Sequence, residues 1–88
     1  MTLRRERNIR RLTVHQALAA EAGWVSTVSL RITHLITTTT LRNLQMALLR
    51  YCRWGLVERK TSGYSREFLY LISAKGQLRL KWLRTHAI

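Results

Sequence analysis

Side chains that can hydrogen-bond to nucleic-acid bases stand close together near the middle of the chain. Arg42, Asn43 and Gln45 lie within four consecutive positions. A guanidinium group can pair with both acceptors of guanine, and a carboxamide can pair with the donor and the acceptor of adenine. Arg50 and Arg53 follow at helical distance, and guanidinium groups bind phosphate through two parallel hydrogen bonds. These residue types favour recognition of base edges and of the phosphates beside them.

A helix over residues 41–54 would position these side chains. Its apolar residues recur at the i, i+3, i+4, i+7 spacing that forms one stripe, so the basic and amide side chains share the other face. The stripe is Leu41, Leu44, Ala47, Leu48 and Tyr51, and the other face carries Arg42, Asn43, Gln45, Met46, Arg50 and Arg53. Thr39 or Thr40 can cap the first turn, and a helix start with free N–H groups suits phosphate. Gly55 can end the helix in a left-handed conformation.

The chain is strongly basic. Its 88 residues contain 16 Lys and Arg against 4 Asp and Glu, which gives a formal net charge of +12 and a pI near 11.7. Thirteen of the basic residues are arginine. On a single small domain this excess indicates a polyanionic partner or an anionic surface.

Few residues are available for catalysis or for metal binding. Aspartate is absent, the four glutamates are dispersed, and Cys52 is the only cysteine, so neither a disulfide nor a cysteine metal site is expected. We expect His15 to be a surface or half-buried residue, since no Cys or His stands three or four residues away. The sequence therefore predicts a non-enzyme without cofactor or metal, located in the cytoplasm with the nucleoid. No membrane partner is expected, because no apolar run approaches the roughly 20 residues that span a bilayer.

The first eleven residues form a basic segment that contains Arg4, Arg5, Arg7, Arg10 and Arg11. It is either a disordered arm or the exposed first turns of a helix. Beside a DNA-reading domain, an arm of this type can enter the minor groove or follow the backbone. We divide the chain accordingly into a basic N-terminal arm, residues 1–11, and a folded domain, residues 12–88.

Two further helices are expected before the central one. Residues 12–22 show a helical apolar pattern, with Thr13 as a possible N-cap and Gly23 as its end. Residues 27–36 fit a short helix capped by Ser26 or Thr27, although alternation fits a strand equally well. We prefer the helix because the next one starts only a few residues later, and two helices joined by a short turn, here near 36–38, form a helix-turn-helix unit. The predicted inward residues are Trp24, as a core or hinge residue, and Val28, Ile32, Leu35 and Ile36.

A hairpin and a last helix are expected after the central helix. Extended runs at 56–60 and 66–72 flank a loop with a Ser-Gly pair, which is typical of a hairpin. Residues 73–86 fit a helix with Ser73 as N-cap and with Leu78, Trp82 and Leu83 facing inward. Gly76 would weaken its first turn by about 1 kcal/mol relative to alanine. The surplus apolar surface of this helix offers an interface.

In this order the elements resemble the winged helix-turn-helix DNA-binding domains of bacterial, archaeal, phage and plasmid regulators, over about residues 12–85. Leu44, Leu48 and Tyr51 followed by Gly55 to Arg59 (GLVER) are similar to the exit from a recognition helix into the first wing strand. Residues 69–76 (LYLISAKG) are similar to the passage into the last helix. The fold implied is α+β and mostly helical, with three helices, a two-stranded β-hairpin wing and a C-terminal helix.

The resemblance implies a role for individual residues. The helix at 41–54 would lie in the major groove, and the wing at 60–66 would reach the backbone or the minor groove. The base-reading candidates are then Thr39, Thr40, Arg42, Asn43 and Gln45. The phosphate and wing candidates are Arg31, Arg50, Arg53, Arg59, Lys60 and Arg66. The function implied is that of a sequence-specific double-stranded DNA-binding protein, a transcriptional regulator, acting as a homodimer through the last helix or the N-terminal segment. No small-molecule ligand is expected, since no effector-binding extension is visible.

Two other classes of function are compatible with the charge. A non-sequence-specific architectural DNA-binding protein, or an RNA-binding protein, needs only phosphate contacts. A cationic membrane-active or protein-interaction module could lay the segment Leu78 to Leu83 on anionic lipid, but the predicted hairpin and core favour a folded domain. A short arginine-rich domain would suit a phage, virus or plasmid.

Overall fold

Four helices and a three-stranded antiparallel sheet form the fold. The structure is a computed structural model that describes residues 3–21, 23–36, 39–63 and 67–86. In chain order the elements are α1 (Leu3–Ala20), β1 (Val25–Ser26), α2 (Thr27–Thr33), α3 (Leu41–Arg53), β2 (Val57–Thr61), β3 (Phe68–Ile72) and α4 (Ala74–His86). The predicted α+β, mostly helical class is confirmed, and so is the hairpin wing followed by a last helix. None of the helices within the described residues is long and apolar enough to cross a membrane.

The first helix is longer than predicted. Because α1 begins at Leu3, the described part of the basic segment forms first turns of a helix, the second of the two alternatives, and the expected boundary after residue 11 falls inside α1. Thr13 as N-cap is wrong, since its hydroxyl donates to the Ile9 carbonyl oxygen at 3.0 Å within the helix. The C-terminal half of α1 buries Val14 and Leu18 in the core.

His15 is fully buried, so its expected position at or near the surface is wrong. Its Nδ1–H donates to the Arg11 carbonyl oxygen at 2.7 Å, and its ring centroid lies 5.0 Å from that of Tyr51 on α3. The Nε2 atom is buried and has no hydrogen-bond partner among the described residues. Burial lowers the pKa of His15; the hydrogen bond to the Arg11 carbonyl opposes this shift, and the charges of Arg79 and Arg11 add to it. The imidazole therefore serves as a neutral core residue that joins α1 to α3.

The second helix has the predicted cap but a different inward face. The Ser26 hydroxyl accepts from the Ser29 N–H at 3.1 Å, which confirms both the helix and its N-cap. Thr27 and Leu30 are buried, whereas Val28 and Ile32 are exposed, contrary to the prediction. The reason is tertiary, because Thr27 lies beside the buried Tyr70 of β3 and this side of α2 packs toward the sheet.

The turn from α2 to α3 passes through an unusual residue. Leu35 has φ 50, in the left-handed region, where glycine would be usual. Its side chain is 77% exposed, so the prediction that it faces inward is wrong. The Ile36 N–H donates to the Arg31 carbonyl oxygen at 3.0 Å, and the Ile36 side chain enters the core as predicted. Residues 37–38 of the predicted turn lie outside the described residues.

The central helix forms as predicted. The Thr40 Oγ1 accepts from the Asn43 N–H at 3.1 Å and caps α3. Leu44, Leu48 and Tyr51 are buried. At the other end Gly55 takes φ 76, which any residue with a Cβ would adopt only with strain.

The wing is a hairpin to which a third short strand is added. The strand order is β1-β3-β2, and the pairing of Val25 with Tyr70 was not expected from the sequence. Arg59 pairs with Tyr70 across the hairpin, so both lie on the face that packs on the helices, and Lys60 points to the opposite face. On that face the Lys60 Nζ lies 4.7 Å above the Trp24 ring. Trp24 is 37% exposed and lies at the edge of this sheet, so the core reading is wrong.

The last helix buries Leu83, as predicted, but not Leu78 or Trp82. Its N-cap is Ser73, as expected, since Ser73 Oγ accepts from the Gly76 N–H at 3.0 Å. The inward residues are Gly76, Leu80 and Leu83, whereas Leu78 and Trp82 are exposed. A Cβ on Gly76 would overlap the Leu56 carbonyl oxygen and would approach the Ile72 Cγ1 to 2.8 Å. The glycine therefore lets α4 pack directly on the backbone that enters β2.

Candidate nucleic-acid interface

The polar face of α3 is exposed along the whole helix, as predicted. All six of its side chains lie in solvent, namely Arg42, Asn43, Gln45, Met46, Arg50 and Arg53. The opposite stripe is anchored in the core, so the helix presents these groups in a fixed orientation. The Thr40 cap occupies one of the first N–H groups and leaves others at the same helix end.

Two grooves flank α3, one on each side. The first has a volume of about 490 Å³ and separates α3 from α1, and we call it the α1–α3 groove. The second, about 460 Å³, separates α3 from α2 and the hairpin, and we call it the α3–wing groove. Met46 lines both grooves and therefore stands on the crest between them. Arg42 and Arg53 lie one turn before and two turns after Met46, on the same exposed row.

The α1–α3 groove is strongly basic. Its charged lining residues are Arg7, Arg10 and Arg11 from α1 and Arg50 from α3, and no carboxylate occurs among the described residues that line it. Thr39 and Asn43 belong to the same groove at the N-terminal end of α3. The Arg11 guanidinium carbon lies 5.5 Å from the Trp54 ring centroid, which fixes one rim of the groove against the other.

The α3–wing groove has a mixed lining. Gln45 from α3 faces Arg59 and Glu67 from the hairpin, with Val28 and Phe68 beside them. The Arg59 guanidinium lies 4.3 Å from the Phe68 ring centroid and forms a side-chain hydrogen bond with Tyr70. These contacts hold Arg59 beside α3 rather than at the tip of the wing.

The remaining predicted phosphate contacts are spread over several surfaces. Arg31 is half-buried in α2, and its Nε is buried without a hydrogen-bond partner among the described residues. Lys60 lies on the sheet face that points away from α3. Arg66 and the side chains of Arg4 and Arg5 fall outside what the structure describes.

Two titratable side chains of α3, Tyr51 and Cys52, have raised pKa values. Burial raises the pKa of the Tyr51 phenol and that of the half-buried Cys52 thiol. A thiol with a raised pKa is a poor nucleophile at neutral pH. Within the described chain, no three His, Cys or Glu side chains are grouped as a set of metal ligands.

Sequence reasoning missed the position of the α1 arginines next to α3. It placed them in a basic N-terminal segment, either a disordered arm or the exposed first turns of a helix, although a signal for the groove was present. Arg7, Arg10 and Arg11 precede the buried Val14 by seven, four and three residues, which puts all of them on one helical stripe. Extending the helix pattern backward from Val14 would have placed them beside α3.

Comparison with known proteins supports the architecture. No protein-family model matches the sequence, and no curated protein matches it. A crystal structure of a MarR family transcription regulator is similar with a TM-score of 0.70 and 16% identity, over 92% of this chain and 54% of that one. A possible transcriptional regulator from Methanosarcina mazei is similar with a TM-score of 0.56 and 16% identity, over 91% of this chain and 76% of that one. This chain thus spans about half the length of the first, and the similarity establishes a winged helix fold.

Proposed function

We propose that this winged helix chain is a sequence-specific double-stranded DNA-binding protein and a transcriptional regulator. The observation that carries the proposal is the exposed face of α3, where side chains able to pair with bases stand on a ridge between two grooves. A ridge of this kind fits the major groove of B-DNA, which is about 12 Å wide and admits one α-helix. The two similar structures, a MarR family transcription regulator and a possible transcriptional regulator, agree with this function.

The position of each base-reading side chain on the ridge would determine which base it contacts. Arg42 stands on the crest row and would pair with the O6 and N7 atoms of a guanine. Asn43 on one side of the crest and Gln45 on the other would pair with adenine. Thr39 and Thr40, at the helix start, would hold a phosphate or a base edge near the free N–H groups. Each good bidentate pair contributes roughly 1–3 kcal/mol of discrimination.

The phosphate contacts would fix the register of α3 on the duplex. Arg50 and Arg53 extend from the C-terminal half of α3, and Arg59 lies beside it in the α3–wing groove. Lys60 and Arg66 would contact the DNA backbone or the minor groove from the wing, and Arg31 would contact the backbone from α2. These contacts supply affinity without reading sequence.

The proposal includes a homodimer. A single domain makes limited contact with DNA, and two copies on paired half-sites multiply it. Leu78 and Trp82 are exposed on α4 and offer apolar surface for this contact. The proposed protein has neither catalytic activity nor a small-molecule ligand and acts on cytoplasmic DNA with the nucleoid. Its origin in a phage or plasmid is a prediction from its arginine-rich composition.

A second function is favoured by one specific observation, the net charge of +12. A non-sequence-specific architectural DNA-binding protein or an RNA-binding protein would use this charge for phosphate neutralisation without base contacts. The proposed and the alternative function differ in the competitors that displace the bound nucleic acid.

Selection from a random pool of short duplexes, followed by competition, separates the two functions. The proposal predicts an enriched motif that unrelated duplex and RNA displace poorly. A palindromic motif would support the homodimer, and its half-site spacing would give the dimer geometry. Tight, salt-sensitive binding with no enriched motif would contradict the proposal and favour the architectural or RNA-binding function.

A further inference from the structure

We infer that the α1–α3 groove holds the sugar-phosphate backbone of one DNA strand, with Arg7 and Arg10 of α1 as its phosphate contacts. This inference rests on the proposed function and adds a third binding element to α3 and the wing. The arginines would act from a fixed helix rather than from a disordered arm.

The geometry of the ridge supplies the first argument. A helix in the major groove has one sugar-phosphate strand on each side. Because α3 projects between two grooves, each groove faces one of these strands. The α3–wing groove leads to the hairpin, and the α1–α3 groove leads to the N-terminal half of α1. The second strand therefore meets α1.

The charge of the two grooves supplies the second argument. Four guanidinium groups line the α1–α3 groove without a carboxylate among its described residues, whereas the α3–wing groove contains both Arg59 and Glu67. Neither Arg7 nor Arg10 is within ion-pair distance of a carboxylate in the described part of the chain. Like charges crowded into one groove repel one another, and an anion between them removes that repulsion. A phosphate backbone provides such anions in a row.

The anchoring of α1 supplies the third argument. Val14 and Leu18 are buried, and the His15 ring contacts Tyr51 of α3. Arg7 and Arg10 stand one to two turns before this anchor, three residues apart, so they are neighbours on the helix surface. Charges held at a fixed spacing lose less conformational entropy on binding than charges on a disordered arm.

A pair of charge-matched variants tests the inference. Arg7→Gln/Arg10→Gln removes two charges from the groove, and Lys81→Gln/Arg84→Gln removes two charges from exposed positions of α4 that line neither groove. The measurement is the salt dependence of binding to the selected duplex and to a random-sequence duplex of equal length. Thermal unfolding by circular dichroism checks that both variants keep the fold.

We expect the groove variant to lose two phosphate contacts per bound chain on both duplexes. For each bound chain, the slope of log K against log salt should fall in magnitude by about 1.8, because each contact contributes about 0.9, and a bound homodimer should show about twice this change. At about 0.1 M salt the change per chain corresponds to roughly 60-fold weaker binding, with the preferred motif unchanged. The α4 variant should keep the slope of the wild type.

Three outcomes would overturn the inference. An unchanged slope in the groove variant, or an equal change in the α4 variant, would show that the groove holds no phosphate. A wild-type protein that binds neither duplex would overturn the inference together with the proposed function.

A different outcome would separate the inference from the proposed function. If the wild type had no preferred motif but the slope still fell in the groove variant, the inference would be supported and only sequence-specific recognition would be overturned.

Discussion

Arg42 and Arg53 share one exposed row of α3 but stand at opposite ends of the helix. Recognition helices contact bases with their N-terminal part, so we expect Arg42 to contact a base and Arg53 to contact a phosphate. Arg42→Ala should weaken binding to the selected motif by about 1–3 kcal/mol and relax the preference at one guanine. Arg53→Ala should weaken binding to all duplexes alike. Repeating the selection with each variant measures both effects. An unchanged motif with Arg42→Ala would contradict the placement of α3 in the major groove.

His15 makes the stability of the fold depend on pH. The folded state holds this imidazole neutral, because burial lowers its pKa, whereas the unfolded chain takes up the proton below about pH 6.5. The contribution of His15 to the free energy of unfolding is therefore fully present above that pH, and it is lost as the pH decreases toward the lower pKa of the folded state. The slope from this group reaches at most about 1.4 kcal/mol per pH unit.

Urea unfolding between about pH 7.5 and 5.5 measures this slope. His15→Phe keeps a ring against Tyr51 but cannot take up a proton, so its stability should decline less over this range than that of the wild type. Parallel declines for the two proteins would mean that His15 does not titrate as the structure implies.

At the scale of elements, the turn between α2 and α3 contains strain that a substitution can relieve. Leu35 has φ 50 and its side chain is mostly in solvent, so a glycine would lose little packing. The left-handed conformation costs an ordinary residue about 1–2 kcal/mol, and the greater freedom of glycine in the unfolded chain offsets part of this gain. Leu35→Gly should stabilise the fold by about 0.5 kcal/mol.

Ile32→Gly is the matched control for this prediction. Ile32 is also exposed, but it lies within α2, where glycine should destabilise by about 0.5–1 kcal/mol. The free energy of unfolding in urea distinguishes the two variants. Destabilisation of similar size in both would show that Leu35 is not strained.

The packing of α4 on β2 reverses the usual effect of replacing a helical glycine with alanine. Helix propensity alone predicts that Gly76→Ala stabilises by about 1 kcal/mol. The added Cβ would instead overlap the Leu56 carbonyl oxygen, so we expect destabilisation of about 1–3 kcal/mol. Gly23→Ala is the control, since nothing lies within 4 Å of its added Cβ, and it should be neutral or slightly stabilising. A thermally stabilised Gly76→Ala variant would contradict the close approach.

The elements also show which features a sequence can predict. The limits and exposed face of α3 follow from local signals, namely the Thr40 cap, the apolar stripe and Gly55. The inward faces of α2 and α4 do not, because both helices carry apolar residues all round and their neighbours select the buried side. For α2 the buried side is the one that packs beside Tyr70 of β3, and for α4 it is the one that places Gly76 against the Leu56 carbonyl oxygen.

Only part of the candidate site was predicted, because the sequence shows local signals but not the packing of distant segments. The side chains on α3 were identified from their spacing, because one helix carries them all. The α1–α3 groove depends on how two distant segments pack, and the spacing from Val14 puts the arginines of α1 on one stripe but does not by itself name α3 as their neighbour. Likewise, strand alternation separates Arg59 from Lys60, but the sequence did not specify which of them faces the helices, since this depends on the pairing of Arg59 with the buried Tyr70.

Taken as a whole, the molecule is a basic domain proposed to contact the phosphates of both DNA strands while α3 contacts the bases between them. The charge of +12 favours the phosphate contacts, and the exposed crest of α3 provides the base contacts. These two parts respond differently to salt, because phosphate contacts release counterions and base contacts do not. High salt should therefore weaken binding to all duplexes while the order of preference among them is kept.

Substitution of single purines in the selected duplex shows whether α3 lies in the major groove. A 7-deaza purine lacks the N7 acceptor, which lies in the major groove and pairs with arginine or carboxamide side chains. We expect this substitution at one or more positions of the motif to weaken binding by about 1–3 kcal/mol, and we expect Arg42→Ala to remove the effect at one guanine. Unchanged affinity at every purine of the motif would contradict the placement of α3 in the major groove.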